Sequence, residues 1–96
     1  MGEHRHVRVQ IHWQRRPIQG TSYSTVARFD DISDKWPEEA WSVVLNFVEV
    51  PVQDAVVEAD MRLLVEAGPQ ELLYVGSGFE LYEGPKLVAT GHVVND

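Results

Sequence analysis

Three histidines near the start of the chain are the first residues that could do chemistry, because imidazoles two positions apart can share one metal ion. His4, His6 and His12 all occupy even positions, so an extended strand would present them on one face. His12 would nevertheless lie roughly 20 Å from His6 at about 3.3 Å per residue, and a site would need a ligand from another element. We therefore predict no metal site and expect residues 1–6 to be a flexible, solvated N-terminus.

A second group of candidate ligands is a set of acidic residues in the segment from 30 to 39. The set consists of Asp30, Asp31, Asp34, Glu38 and Glu39. Calcium prefers such oxygen ligands, but the EF-hand spacing and its central glycine are missing. We interpret the segment as a polar, solvated connection, in which Pro37 permits a short helical turn over Asp34–Glu39.

The nucleophiles and acid–base groups of the sequence do not predict an enzyme. The chain contains no cysteine, which excludes disulfides, thiolate zinc sites and cysteine nucleophiles. Ser22 and Ser24 lack the context of a nucleophile elbow. Gly76-Ser77-Gly78 has neither the lysine nor the following helix of a phosphate loop, and His92 has no carboxylate partner by spacing. We expect no enzymatic activity and no cofactor.

Three tryptophans are the largest apolar side chains. Trp13 and Trp41 fall on the inward rows of predicted strands, so we expect both in the core. Trp36 lies in the acidic connection beside Pro37. An exposed Trp36 would anchor a protein partner, because tryptophan is enriched in interface hot spots. The alternative is that Trp36 folds back and covers one end of the fold.

Charge is distributed unevenly along the chain. The net charge is -7, yet residues 1–29 contain five arginines and a single acid, Glu3. An acidic surface repels nucleic acid at long range, so we expect no DNA binding. The arginine-rich start could still meet a phosphate or an acidic partner, although solvated strand faces and turns are the simpler interpretation.

Length and hydropathy favour one cytoplasmic domain. The chain has 96 residues, within the size of a single domain. No apolar run approaches the roughly 20 residues that span a bilayer, and residues 1–6 lack the apolar core of a signal peptide. We expect a cytoplasmic location and no membrane partner.

The elements that must position these residues are strands, because apolar residues alternate along most of the chain. The predicted strands are Val7–Trp13, Tyr23–Phe29, Ala40–Val50, Val56–Glu66, Gly78–Tyr82 and Leu87–Val94. In the third strand Val44 and Val48 make the outer row apolar too, as in a strand that is covered on both faces. Six short strands with almost no helix predict an all-β sandwich or barrel, and closure into a barrel would remove exposed edges.

Three segments, in their order and spacing, carry a resemblance to a known family. They are "RRPIQGTSYS" (15–24), "VQDAVVEADMRLLVEAGP" (52–69) and "GFELYEGPKLVATGHVV" (78–94). They are similar to the segment entering the second strand, the long alternating strand and the closing hairpin of the third, C-terminal domain of elongation factor Tu and related translation GTPases. The resemblance implies one six-stranded antiparallel β-barrel over residues 7–96.

The resemblance also implies partners. In that family the domain contacts the acceptor and T stems of tRNA as well as partner proteins, and the closing Glu-Gly turn faces the tRNA. The corresponding residues here are Glu83 and Gly84. The family's arginine and proline after the Gly-aromatic step are absent, its Pro-Gly-Asp turn appears as Val52-Gln53-Asp54, and nothing resembles a GTPase phosphate loop.

Three functions remain open from the sequence. The leading hypothesis is a protein-binding or accessory module, because eight cations against fifteen acids leave few cations for phosphates. The second is RNA or tRNA binding through Arg15, Arg16 and the closing hairpin. The third is a small ligand held in the mouth of the barrel, which would require a pocket with convergent polar groups.

Overall fold

Six β-strands and two short 3-10 helices make up the computed structural model, which describes residues 5–16 and 18–96. The strands are β1 (Val7–Trp13), β2 (Ser22–Phe29), β3 (Trp41–Phe47), β4 (Val56–Leu63), β5 (Gly78–Glu83) and β6 (Lys86–Asn95). The 3-10 helices are Asp30–Lys35, between β2 and β3, and Gln70–Leu72, between β4 and β5. Within the described residues no helix has the length and hydropathy to cross a membrane.

The strands form a closed antiparallel barrel in the order β1-β4-β3-β2-β5-β6, and β6 pairs again with β1. Closure gives each of the six strands a hydrogen-bonded neighbour on both sides, so none of them is an edge strand. The predicted six-stranded antiparallel β-barrel is therefore confirmed.

The barrel interior is filled by the inward row of each strand. In β1, for example, Val7, Val9, Ile11 and Trp13 are buried while the residues between them are exposed. Trp13 is fully buried and makes edge-to-face contacts with Tyr23 and Phe47, at centroid distances of 5.2 and 5.4 Å. The largest fully buried side chains are Trp13, Phe29, Ile11, Leu45, Met61, Leu63, Leu73 and Leu81. The core prediction for Trp13 is confirmed, whereas Trp41 is only half-buried and packs at the margin of the core.

Gly91 allows β6 to approach the interior closely. A Cβ atom at this position would lie 2.7 Å from the Gln10 carbonyl oxygen and 2.8 Å from Cδ1 of Ile11. Because one of these neighbours is backbone, it cannot rotate away. The barrel wall therefore requires a residue without a side chain here.

The helical turn predicted over Asp34–Glu39 is displaced in the structure to Asp30–Lys35. The reason is Pro37, because the residue before a proline is disfavoured in the helical region. Trp36 accordingly has φ -74° and ψ 140°, an extended conformation that ends the helix. The acidic segment is thus a 3-10 helix in its first half, followed by a turn in which the Glu39 N–H donates to the Lys35 carbonyl oxygen at 2.8 Å.

β3 and β4 are shorter than the predicted strands Ala40–Val50 and Val56–Glu66. β3 ends at Phe47 and β4 ends at Leu63. The prediction that the outer row of β3 is covered was wrong at Val48, which is 74% exposed. Alternation of apolar residues continued past the point where the two strands separate, so it did not mark their ends.

The sequence predicts a flexible N-terminus over residues 1–6. Residues 1–4 of this segment lie outside the described part of the chain. Arg5 and His6 are described and both make hydrogen bonds. The Arg5 guanidinium donates to the Leu73 carbonyl oxygen at 3.0 Å. His6 Nδ1 lies 2.9 Å from an Asp60 carboxylate oxygen.

Candidate partner-binding surface

The loops that carry most of the predicted site residues meet at one end of the barrel, which we call the upper end. β1, β3 and β5 finish there, and β2, β4 and β6 begin there, because neighbouring strands are antiparallel. The upper end is therefore formed by the described residues of the β1–β2 loop (14–16 and 18–21), residues 48–55 and the turn at 84–85. Arg15, Arg16 and Gly84 belong to it, and Glu83 is the last residue of β5 beside the turn.

Arg15 and Glu83, predicted from separate parts of the sequence, are brought into contact. The Arg15 guanidinium and the Tyr23 hydroxyl both donate to the same carboxylate oxygen of Glu83. The guanidinium carbon of Arg15 also lies 5.8 Å from the centre of the Tyr23 ring, within range of a cation–π contact. We call Arg15, Tyr23 and Glu83 the Arg-Tyr-Glu cluster.

The Arg-Tyr-Glu cluster joins the β1–β2 loop to the β5–β6 hairpin rather than presenting a reactive group. Burial raises the pKa of Tyr23, and the hydrogen bond to the Glu83 carboxylate raises it further, so the phenol stays protonated near neutral pH. Trp13 Nε1 donates to the Arg16 carbonyl oxygen at 3.3 Å and holds the same loop from the barrel interior. Arg15 is therefore already paired with Glu83, and its guanidinium would bind a phosphate only in competition with that carboxylate.

Three predicted site residues are exposed at the upper end, namely Arg16, Glu83 and Gly84, and of these only Glu83 has a side-chain partner among the described residues. Gly84 has φ 59° in a two-residue loop with Pro85. Pro85 cannot adopt the positive φ that the second position of a type I′ turn needs, so the loop is of the II′ kind. Arg16 is exposed and makes no ion pair among the described residues.

Trp36 lies on the outer wall of the barrel and does not cover an end. Its ring packs against Tyr82, with a centroid distance of 5.0 Å, and the side chain is half-buried. The Tyr82 hydroxyl and the Arg28 guanidinium donate to one Glu80 carboxylate oxygen, at 3.0 and 2.7 Å. Trp36 is thus part of a packed wall next to Glu83, with only part of its ring available to a partner.

The sequence reasoning missed the exposed valines of the β3–β4 connection. Val48, Val50, Val52 and Val56 are 74, 42, 61 and 61% exposed. Residue types alone favoured strand or core for them, because valine is common in both. The indication that was available is Pro51 in the middle of the segment, since a proline seldom continues a central strand.

Two shallow depressions lie on the outside of the barrel. One, of about 250 Å³, is lined by Gln10, His12, Thr90 and His92 among others, and the other, of about 210 Å³, lies beside the β3–β4 connection. Both are smaller than the roughly 300–1,000 Å³ of typical small-molecule sites. Within residues 5–16 and 18–96, no three histidine or carboxylate side chains are grouped as metal ligands.

Comparisons with protein-family models, with curated proteins and with solved structures find no match for this chain. The resemblance to the C-terminal domain of elongation factor Tu therefore rests on the three sequence segments that suggested it. The closed barrel is a fold on which many unrelated functions occur, so it does not by itself carry an activity.

Proposed function

We propose that this chain is a non-enzymatic, cytoplasmic module that binds another protein through the upper end of a barrel like the C-terminal domain of elongation factor Tu. The observation that carries the proposal is a set of four exposed valines, three in the β3–β4 connection (Val48, Val50 and Val52) and Val56 at the start of β4. Exposed apolar side chains that are grouped and rimmed by polar residues are typical of interaction sites.

The state of the basic side chains favours a protein partner over RNA. Four of the eight lysines and arginines form ion pairs with carboxylates. Arg5 and Arg62 donate to backbone carbonyl groups. Affinity for RNA comes mainly from cations that neutralise phosphates, and most of the cations here are already engaged.

RNA binding is the second candidate, and one observation favours it. Arg16 and Lys86 are exposed at the upper end, and neither makes an ion pair or a side-chain hydrogen bond within the described residues. Arg16 lies in the β1–β2 loop, and Lys86 is the first residue of β6, next to the Glu83-Gly84 turn that the family resemblance assigns to tRNA. Two cations would give weak binding with a shallow dependence on salt, because the slope scales with the number of phosphates neutralised.

The third possibility, a small ligand in the mouth of the barrel, has less support. The interior is filled by side chains such as Trp13 and Leu45 that are fully buried. The two depressions lie on the outer wall and not in the mouth of the barrel, and both are smaller than typical small-molecule sites.

Capture of partners from a lysate of the source organism, with and without ribonuclease, tests the proposal. We expect the tagged protein to retain a specific protein after ribonuclease treatment and to lose it when Val48 and Val52 are both changed to serine. The matched control is Val94→Ser, at the other end of the barrel, which should leave capture unchanged. Capture that disappears with ribonuclease, or with Arg16→Ala and not with the valine variant, would replace protein binding by RNA binding.

A further inference from the structure

β3 and β4 separate at the upper end of the barrel and leave a cleft between them. Their ladder runs from the Val43–Leu63 pair to the Phe47–Ala59 pair and stops there. β4 nevertheless extends back to Val56, where its other side pairs with β1 at His12. The chain bends after Phe47, and Val57 and Glu58 of β4 line an opening on the side where β3 no longer pairs.

The cleft between the separated strands combines two kinds of side chain. Its volume is about 210 Å³, and it is lined by Val48, Glu49, Val57 and Glu58. The valines offer an aliphatic surface, and the glutamates place carboxylates at the same opening. A side chain with an apolar stem and a cationic end, which means lysine or arginine, matches both features.

The carboxylates of the cleft have little competition from within the chain. Glu58 has one ion-pair partner among the described residues, Arg8, at 3.7 Å. That distance exceeds a hydrogen bond, and both side chains are about half exposed, so the pair is weak. Glu49 is exposed and makes no ion pair within the described part of the chain.

We propose that this cleft takes a lysine or arginine side chain from a basic, extended segment of a partner protein. The inference rests on the proposed protein-binding function and names its partner by chemistry. A second copy of this chain is a poor occupant, because each copy carries a net charge of -7 and like charges would face each other.

Short peptides of defined sequence test the cleft directly. The probe is acetyl-Ala-Val-Lys-Val-Ala-amide, and its analogues carry arginine, norleucine or glutamate in place of the lysine. We expect saturable NMR shifts of the amides of Val48, Glu49, Val57 and Glu58 with the lysine and arginine peptides. Norleucine, which keeps the stem and removes the charge, should bind at least about fivefold more weakly, because a charge-assisted contact is lost.

Variants on the protein side make the assignment specific. Glu49→Gln combined with Glu58→Gln should weaken binding of the lysine peptide at least about fivefold. The matched control combines Glu66→Gln with Glu71→Gln, which removes the same charge from exposed positions at the other end of the barrel and should change affinity little. Arg8→Gln should strengthen binding about two- to fivefold, since it releases Glu58 from an exposed ion pair.

Equal affinity for the lysine and norleucine peptides would overturn the inference. So would a set of shifts spread over the acidic surface and equally reduced by both charge-removing pairs. Sedimentation that shows a dimer lost in the valine variant would identify a second copy as the occupant instead. If the Glu49 and Glu58 variant still captures a ribonuclease-resistant partner in full, the cleft is wrong and protein binding stands. If the peptide binds but no protein is captured from the lysate, the proposed protein-binding function is contradicted and the assignment of the cleft stands.

Discussion

The β5–β6 turn and the β3–β4 connection do the same structural task in different ways. Each joins two neighbouring antiparallel strands at the upper end of the barrel. The first uses only Gly84 and Pro85, whereas the second spans residues 48–55. Glu83 at the end of β5 is held by Arg15 and Tyr23, while the valines of the longer connection have no comparable partners and are exposed.

This difference separates residues that the fold needs from residues that it does not. Two residues suffice to connect adjacent strands, as the β5–β6 turn demonstrates. Of the additional residues in the β3–β4 connection, Pro51 is buried, and Asp54 and Ala55 form backbone hydrogen bonds with Trp13. Val48, Val50 and Val52, by contrast, expose their apolar side chains to water. Loops on a rigid scaffold are where binding residues concentrate, which is the role that we propose for residues 48–56.

The largest effect on stability is expected in the β5–β6 hairpin, at Gly91. Gly91→Val should lower the free energy of unfolding by about 3 kcal/mol, because the new side chain collides with the Gln10 backbone and Ile11. Urea unfolding measures the change. Thr90→Val, at the neighbouring position that faces outward, is the control and should change stability by less than about 0.5 kcal/mol. Equal losses at the two positions would contradict this account of the barrel wall.

A smaller loss is expected at the turn itself. Gly84→Val should destabilise the protein by about 2 kcal/mol, because a β-branched residue is strained at φ 59°. Gly84→Asn should cost clearly less, since asparagine tolerates positive φ. If both substitutions are equally harmful in thermal unfolding, a contact of the glycine and not its backbone conformation would be responsible.

The Arg-Tyr-Glu cluster should contribute less than either glycine. Tyr23→Phe keeps the ring against Trp13 and removes the hydroxyl that donates to Glu83. We expect a loss of about 1 kcal/mol, because the hydrogen bond has a charged acceptor but is partly exposed to water. Tyr23→Ala should cost more, because the aromatic contact is lost as well. An unchanged denaturation midpoint for Tyr23→Phe would mean that the cluster does not hold the loop.

The raised pKa of Tyr23 gives this cluster a pH dependence. Since burial and the Glu83 carboxylate favour the neutral phenol in the folded state, the stabilisation is complete below the unfolded pKa of about 10. It is lost as the pH rises through the higher pKa of the folded state. The difference in stability between the wild type and Tyr23→Phe should therefore shrink in this alkaline range. A constant difference would exclude a link between ionisation of Tyr23 and stability.

The fold was predictable because its cause is local and repeated. Alternation along Val7–Trp13 and the Gly84 turn each follow from side-chain direction and backbone sterics, and the strands they define are those observed. The contact of Arg15 with Glu83 was not predictable from spacing. It depends on closure of the barrel, which brings residues 68 positions apart into contact.

The ends of strands were predicted less well than their centres, for a physical reason. Valine favours a strand wherever it stands, so the valines around Pro51 extended the predicted β3 beyond Phe47. β3 ends where it separates from β4. This separation depends on both segments, so the sequence of β3 alone does not predict it. The exposed valines of the candidate surface were missed for the same reason, because their exposure depends on whether a neighbouring strand covers them.

The smallest effect on stability is expected where the effect on binding is largest. Val48→Ser combined with Val52→Ser should change the free energy of unfolding by less than about 0.5 kcal/mol, because both side chains are already more than half exposed. In the lysate experiment the same variant should lose its protein partner, and the peptide should bind it more weakly because the aliphatic wall at Val48 is gone. A fold that needed these valines would instead show a loss of stability comparable with that of Gly84→Val. Such a loss would mean that the two connections differ in length but not in role.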